Sequence, residues 1–309
     1  MVTRCASYLR GRRLRATLLD ECGNPVYGES SVVTSSGFVS VAYTANVDEG
    51  EVVDQRNANN DKCVYAPADP TMLGYTVEIT FCNVDPDLFS MLTGQDTIID
   101  ANGDVIGFSI DTAVKASDTK FALEVWAGTP PSDACAPAAS GGSYGYILLP
   151  LVQGGIVGDF TIENDVVTFT ITNAATLDGN AWGVGPYNVV AGLGGVPSPL
   201  PESLTSTKHL ILLNTNIAPP DAECGFRPLL DPADADLTDV TATPTLLSVT
   251  FAPVPAGSDP WWIDFGDGFW DYEATGGNIV YAYAAAGTYT YTAYRGDSVF
   301  TDTVTVVAA

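Results

Sequence analysis

The stretch YTVEITFC, residues 75–82, sets the pattern that decides the fold. Polar and apolar side chains alternate along it, with Thr76, Glu78 and Thr80 on one face, and this period of two predicts a half-buried strand. Alternating or short apolar runs recur along the chain, and they predict further strands at 13–20, 39–47, 120–127, 145–152, 166–172 and 210–213. The sequence therefore predicts an all-β protein.

One segment, 85–93, predicts a short helix instead. Asp85 is suited to the N-cap, Pro86 to the first turn, and Gly94 to the left-handed position that ends the helix. The next turn signal, Asn102-Gly103 between two apolar runs, predicts a β-hairpin. One short helix among about eight strands favours a β-sandwich or barrel.

The charge of the chain excludes several classes of protein. There are 37 acidic and 12 basic residues, and the net charge is −25. General nucleic-acid binders and proteins that dock on anionic membranes need exposed cations, so both classes are excluded. An acidic surface instead lets DNA pass without adhering. No signal segment precedes Arg10 and the longest apolar stretch, 146–152, is too short for a membrane span, so we expect the protein to be made and kept in a cytoplasm.

Basic residues are concentrated at the N-terminus. Five of the twelve lie there, namely Arg4, Arg10, Arg12, Arg13 and Arg15. Two interpretations stay open for this segment: a solvated basic arm, or an inter-subunit arm that docks on an acidic neighbouring subunit.

Two other stretches are rich in turn-forming and polar residues. Residues 48–72 predict a long polar loop, and such a loop inside a compact domain is usually functional. Residues 218–236, APPDAECGFRPLLDPADAD, predict a linker between a domain at 1–217 and a second domain at 237–309. Both sides of this boundary are acidic, so charge does not separate their roles.

The C-terminal part resembles a PKD-type immunoglobulin-like domain. The resemblance rests on WWIDFGDG at 261–268, IVYAY at 279–283 and AGTYTYT at 286–292. We expect the turn in the first run to close a hairpin, and the Trp261-Trp262 pair to pack over Tyr289 and Tyr291 on one strand face. The motif residues are Trp262, Asp264, Gly266, Asp267, Gly268, Tyr281, Tyr283, Gly287 and Tyr289.

The first 215 residues or so are similar to the major tail tube proteins of siphophages that infect actinobacteria. The similarity lies in LLDECGNPVYG at 18–28, SSGFVSVAYTANVDEGEVV at 35–53, NANNDKCV at 57–64 and YTVEITFCNVDPDLFSMLTG at 75–94. The resemblance implies a tail tube β-sandwich or barrel followed by an outward-facing Ig-like sandwich.

This resemblance also implies the function of a virion structural protein with no enzymatic activity and no cofactor. Subunits of the family form hexameric rings, whose sheets join edge to edge around a lumen, and the rings stack around a tape-measure protein. The implied partners are the chain itself, the tape-measure, tail terminator and distal tail proteins, and genomic DNA that passes without specific binding. The implied location is the phage tail, assembled in the host bacterial cytoplasm without a membrane.

Within that family picture, residues 45–74 correspond to the loop that reaches into the next ring. Its charged residues suit polar contacts that fix register; a mobile surface loop is the alternative. The predicted ring-stacking residues are Asp48, Glu49, Glu51, Asp54, Arg56, Asp61 and Lys62.

Candidate chemical sites are weak. Six scattered cysteines, with no C-x-x-C, predict buried thiols, with a metal site at Cys5, Cys22, Cys63 and Cys82 as the alternative. The run GGSYG at 141–145 matches a nucleophile-elbow pattern, but it follows a flexible loop and precedes a strand, and His209 is the only histidine. The carboxylates Asp264, Asp267, Asp271 and Glu273 suit turn capping better than calcium. We expect no catalytic or metal site.

A second class of function stays open. A PKD-like domain and the aromatic residues Trp261, Trp262, Trp270 and Tyr272 also suit a secreted or surface carbohydrate-binding or adhesion protein, with weak glycan or cell-surface contacts. The missing signal segment counts against it, as the lack of a supported active site counts against a hydrolase.

Overall fold

The computed structural model describes residues 9–101, 103–128, 144–160, 167–177 and 180–308. It divides into two compact units. The first contains residues 1–25 and 33–225, and the second contains Val26–Val32 and Phe226–Ala309. Nearly all of the regular structure is β, so the predicted all-β fold is confirmed.

In chain order the elements begin with six strands and one helix, all in the first unit except for Gly28–Val32 of the second strand, which belong to the second unit. They are β1 (Leu9–Leu18), β2 (Gly28–Ser35), β3 (Phe38–Asp48), β4 (Val53–Arg56), β5 (Lys62–Ala66), β6 (Thr71–Phe81) and α1 (Pro86–Thr93). Shorter strands and 3-10 turns follow: β7 (Thr97–Ile99), β8 (Val105–Phe108), a turn at Ala116–Asp118, β9 (Lys120–Gly128), β10 (Tyr144–Gln153), β11 (Ile156–Val157), β12 (Phe169–Thr176), turns at Asn180–Trp182 and Leu193–Gly195, β13 (Val190–Ala191), β14 (Pro197–Ser198) and β15 (Ile211–Thr215).

The remaining strands are β16 (Glu223–Leu229), which spans the boundary, and seven strands of the second unit. Those seven are β17 (Asp239–Thr245), β18 (Ser248–Val254), β19 (Trp261–Asp264), β20 (Trp270–Glu273), β21 (Ile279–Ala282), β22 (Gly287–Arg295) and β23 (Ser298–Val306).

A ten-stranded sheet contains the long strands of the first unit, together with β16 and β2, whose residues are divided between the two units. Its order is β16-β2-β1-β9-β10-β12-β6-β3, with β11 added to β12 and β15 to β10. In β6 the apolar set Val77, Ile79 and Phe81 is fully buried, whereas Glu78 is exposed, as the alternation predicts. Strand β2 was not predicted from the sequence, because its first residues, GES, carry no apolar alternation.

The helix forms where the sequence predicts it. Asp85 Oδ1 accepts hydrogen bonds from the backbone N–H groups of Asp87 and Leu88, and Gly94 ends the helix with φ 73°. The centroid of the buried Phe89 ring lies 5.4 Å from that of Phe81, so α1 packs on the face of the sheet that carries the Phe81 side chain. The hairpin predicted around Asn102-Gly103 is confirmed by the pairing of β7 with β8, although Asn102 lies outside the described residues.

The second face of the same sheet is also covered. In β1 four consecutive residues, 14–17, are buried, so both faces of this strand lie inside the protein. On one face, Trp126 and Tyr146 pack in one cluster with Trp182, Val189 and Leu200. The segment 182–204 therefore forms a lid on the sheet, and this lid was not predicted from the sequence.

The second unit is a sandwich of two antiparallel sheets. A three-stranded sheet, β17-β18-β21, and a four-stranded sheet, β20-β19-β22-β23, contribute side chains to a single core. Trp261 and Tyr291 are buried in it, but Trp262 lies on the opposite face and stacks on Tyr294 at 4.1 Å. The expectation that both tryptophans pack over Tyr289 and Tyr291 was wrong, because neighbouring residues of a strand point to opposite faces.

The segment 218–236 differs from a simple linker. It contains strand β16, and the division between the two units falls at residues 225 and 226. The buried Leu229 and Leu230 explain why the Pro- and Asp-rich composition did not prevent strand formation.

Candidate functional site

The segment predicted as a long loop is the outer part of one continuous β-hairpin. Strands β3 and β6 pair from Phe38 opposite Phe81 out to Asp48 opposite Thr71. The α-carbon of Gly50 then faces the backbone of Asp69, and β4 pairs with β5 from Val53 opposite Ala66. We call residues 47–72 of this hairpin the arm.

The arm carries no core of its own. Every residue from 47 to 67 is exposed, and the buried residues of β6 begin only at Gly74. A strand pair with both faces in water is marginal in isolation, so its apolar side chains are available to a partner. The large exposed apolar residues of the arm are Val47, Val52, Val53, Val64, Tyr65 and Met72.

The structure brings the seven predicted ring-stacking residues together on this arm, and all are exposed. They are Asp48, Glu49, Glu51, Asp54, Arg56, Asp61 and Lys62. Several also hold the hairpin in shape.

Asp54 lies at the centre of the charged group. Its Oδ2 is 3.6 Å from Nη2 of Arg56 and 3.9 Å from Nζ of Lys62, and Lys62 also lies 4.1 Å from the centroid of the Tyr65 ring. Exposed pairs at these distances contribute little stability, so the two cations can exchange partners on binding.

The arm has two different faces. Val53 pairs with Ala66 across the hairpin, and Gln55 pairs with Val64. Because residues two apart in a strand share a face, Val53, Val64 and Ala66 lie on one apolar face. Asp54 and Tyr65 lie on the other face, with Lys62 beside them. The charges of this segment predict polar contacts only; its apolar face was not predicted from the sequence, although the spacing of Val64 and Ala66 is a signal for it.

Within residues 9–18 the basic N-terminal residues lie in strand β1, so they do not form the separate N-terminal extension that was predicted to dock on a neighbouring subunit. Arg10 and Arg12 are exposed, Arg13 is half-buried and donates from Nε to the Pro220 carbonyl at 3.2 Å, and Arg15 is buried. The expectation of an inter-subunit arm is corrected for Arg15, since the lid covers the face on which it lies. Arg4 lies outside the described residues.

Arg15 instead forms a buried polar centre with Glu124. Its guanidinium lies 3.3 Å from the centroid of the Tyr187 ring, and Tyr146 donates a 2.6 Å hydrogen bond to Oε1 of Glu124. Burial and the Glu124 carboxylate raise the pKa of Tyr146 well above its ordinary value. For Arg15, burial opposes the charge, but the Glu124 carboxylate overcomes it and raises the pKa. The arrangement is a structural clamp between sheet and lid.

The PKD-like motif residues shape a turn and an aromatic stack. Asp264 Oδ1 accepts from the N–H of Gly266, and Asp267 accepts from Phe269 N–H and from the Tyr281 hydroxyl. Burial, and then this hydrogen bond, raise the pKa of Tyr281 to about 12. These contacts support turn capping for the two carboxylates.

The rest of the motif completes the stack. The Tyr281 ring stacks on that of Phe265 at 3.8 Å, and Tyr283 on Tyr289 at 4.0 Å. Gly268 has φ 96° beside the same turn, and a side chain at Gly287 would meet the ring of Tyr289. All these residues have structural roles in the sandwich.

The other candidate sites gain no support. Among the described residues, no group of three or more His, Cys, Asp or Glu side chains could hold a metal ion. The thiols of Cys22, Cys63, Cys82 and Cys224 are free and exposed, so the prediction of buried thiols was wrong for these four. Their small size allowed the chain to place them on turns and exposed strands; Cys5 and Cys135 lie outside the described residues.

The elbow-like run and the histidine are not brought into a site. Residues 141–143 of GGSYG lie outside the described residues, and Tyr144 begins strand β10. His209 is half-buried, with Nδ1 3.3 Å from Oγ1 of Thr176. In the part of the chain that the structure describes, no helix is long and apolar enough to cross a membrane.

No protein-family model matches the chain, and no curated protein matches it.

Proposed function

We propose that this chain is a structural subunit of a bacteriophage tail tube and has no enzymatic activity. In this proposal the subunits assemble into stacked hexameric rings in the host cytoplasm, and they remain in the virion. The observation that carries the proposal is the arm. A hairpin that exposes every residue from 47 to 67, with one apolar face, gains its stability from contacts with another molecule.

The edge of the large sheet supports self-association. Strand β3 lies at one edge of the sheet, and with eleven residues it is long for an edge strand. Edge strands of monomeric proteins are usually short, or are blunted by lysine, proline or bulges. In β3 the residues Phe38–Asp48 include no lysine or proline. The ladder with β6 has register shifts near its two ends, at Phe38/Ser40 and Asn46/Val47, and is regular from Ser40 to Asn46, so this stretch suits pairing with a neighbouring subunit in a closed ring.

The acidic charge of the chain supports the proposal that DNA passes through the tube. With 37 acidic and 12 basic residues, a tube of such subunits repels the phosphate backbone and lets a genome pass. The tape-measure, terminator and distal tail proteins are the further partners in this proposal. The C-terminal sandwich is proposed as a decoration that assembly does not require.

One observation favours the alternative of a carbohydrate-binding surface protein. On the outer face of the four-stranded sheet, Trp262, Trp270 and Tyr272 are half-buried around Tyr294. Half-exposed aromatic rings on one face of a sheet offer apolar ring faces on which sugar rings can stack. This surface includes Arg227, whose guanidinium lies 5.2 Å from the Trp270 ring, so part of the aromatic area is already covered.

Negative-stain electron microscopy of the purified full chain, over a series of rising concentrations, tests the proposal. We expect rings or hollow tubes of uniform width. Monomers at every concentration, confirmed by sedimentation, together with binding on a glycan array, would contradict the tube and favour the carbohydrate-binding alternative.

A further inference from the structure

The arm leaves the large sheet at a β-bulge in strand β6. Asn46 of β3 is paired with Gly74, but the next pair is Val47 with Met72, so Leu73 is an extra residue between the two pairs. Gly74 has φ 142°, in the region of backbone conformation that favours glycine. A bulge bends and twists the strand that contains it. Leu73 and Gly74 therefore form the joint between the sheet and the arm.

Two side chains from outside the β3–β6 ladder hold this joint. Next to it, the Tyr75 N–H donates to Oγ1 of Thr176 at 2.8 Å, and the same oxygen lies 3.3 Å from Nδ1 of His209. Thr176 belongs to the neighbouring strand β12 and is buried, and His209 is half-buried. A Cβ at Gly74 would lie 2.7 Å from the Thr176 oxygen and 3.1 Å from Nδ1, so only glycine lets the backbone come this close.

The contact between Thr176 and His209 depends on the proton at Nδ1. When Nδ1 carries no proton, the Tyr75 N–H donates to Thr176 and the Thr176 hydroxyl donates to His209, which gives a continuous chain of hydrogen bonds. Protonation of the ring turns Nδ1 into a second donor toward the same oxygen, and it leaves the buried hydroxyl proton without this acceptor. The charged ring therefore weakens the contact that holds the joint.

His209 is the single histidine of the chain, and histidine is the side-chain type that ordinarily changes its charge between about pH 5 and 8. The elements next to it carry few charges. Strand β12 contains no charged residue, and β6 contains only Glu78, which is exposed. The exposed Lys208 precedes His209, and Asp48 ends β3. Near neutral pH, the charge that changes at the joint is therefore that of the His209 ring.

We propose that Thr176 and His209 form a pH-sensitive latch, which fixes the direction of the arm while the ring is neutral and releases the arm at the joint when the ring is protonated. Because every residue from 47 to 67 is exposed, the direction of the arm is set at its base. The inference goes beyond the proposed function, since the latch belongs to a single chain and acts before any contact with a neighbour.

The distance between two native thiols measures the direction of the arm. Cys63 lies in the arm, Cys82 follows the other end of β6, and both are free and exposed. Nitroxide labels are attached to these two in a chain whose other cysteines are replaced by serine, and pulsed electron paramagnetic resonance is recorded on the dilute monomer. We expect a distance distribution roughly twofold broader at about pH 5.5 than at about pH 8. Equal distributions at the two pH values would overturn the latch.

Three variants separate the latch from a general effect of acid. Thr176→Val removes the hydroxyl and is expected to give the broad distribution at both pH values. His209→Asn keeps a polar group near the position of Nδ1 but does not titrate, and it is expected to give the narrow distribution at both. The control is Thr170→Val in the same strand, where Oγ1 of Thr170 lies 3.4 Å from Oγ1 of Thr80, and it should respond as wild type does. A His209→Asn chain that broadens in acid like wild type would overturn the proposal.

The single histidine also gives a direct spectroscopic readout. The ring-proton NMR signal of His209 is expected to titrate over the same pH range as the broadening, and separate ranges would contradict the latch. Both measurements use the monomer, so they do not depend on assembly. Tubes built from a chain whose arm ignores pH would overturn the latch and leave the proposed function intact. A pH-responsive arm on a chain that never assembles would support the latch and contradict the proposed function.

Discussion

Arg15 and Glu124 form a bidentate ion pair inside the large sheet, with Nε 2.5 Å from Oε2 and Nη2 2.7 Å from Oε1. They are cross-strand partners in the β1–β9 ladder, and the Glu124 side chain is fully buried. The pair fixes the register of the two strands, since a slip by one residue would leave both charges without a partner.

Removing one member of this pair is predicted to be costly. Arg15→Met leaves the Glu124 carboxylate buried without its counter-ion, and we expect a loss of about 3–5 kcal/mol in the free energy of unfolding. The double variant Arg15→Met with Glu124→Leu is expected to be more stable than the single variant. Urea denaturation measures both, and a single variant as stable as wild type would show that water reaches the carboxylate.

Tyr146 is predicted to make stability fall in alkaline solution. Its pKa in the folded protein is raised, so the folded chain keeps a proton that the unfolded chain releases near pH 10. The stability that Tyr146 contributes to the folded state is therefore fully present below about pH 10, and it is lost as the pH rises further. Thermal unfolding at pH 8 to 11 should show a smaller decrease for Tyr146→Phe than for wild type. Part of the decrease remains, because burial also raises the pKa of Tyr43 and Tyr283.

Two glycines of one turn are predicted to respond differently to alanine. Gly266 has φ 78° and a Cβ there would lie 1.9 Å from the Thr290 carbonyl oxygen, whereas Gly268 has φ 96° and open space. Gly268→Ala is expected to cost about 1–2 kcal/mol from backbone strain alone. Gly266→Ala is expected to cost about 1–3 kcal/mol beyond that, because strand β22 must move. Equal unfolding midpoints in urea would contradict the close approach of the two backbones.

Deletion of the C-terminal sandwich tests its role in assembly. A chain of residues 1–230 keeps β16, which is part of the large sheet, and we expect it to form tubes of smaller outer width. Circular dichroism must first show that the shortened chain is folded. A folded chain of residues 1–230 that yields no tubes would show that the sandwich takes part in assembly.

The sequence predicted correctly those strands and helix ends whose signals are contained within a few neighbouring residues. The alternation at 75–82, the cap at Asp85 and the terminator Gly94 are each complete in themselves, and the structure confirms them. Strand β4, strand β5 and the lid at 182–204 were missed, because polar and glycine-rich segments acquire order there only from their pairing or from the sheet beneath.

The sequence by itself determined that the protein is acidic and almost entirely β, because charge counts and a period of two are properties of the chain. Only the tertiary structure decided which residues meet. It buried Arg15 against Glu124, separated Trp261 from Trp262, and extended a polar segment into an arm with an apolar face. Register, which pairs residues far apart in the chain, is the physical reason: a strand's own pattern tells which face is apolar, but only its partner strand and covering layer decide whether that face is buried.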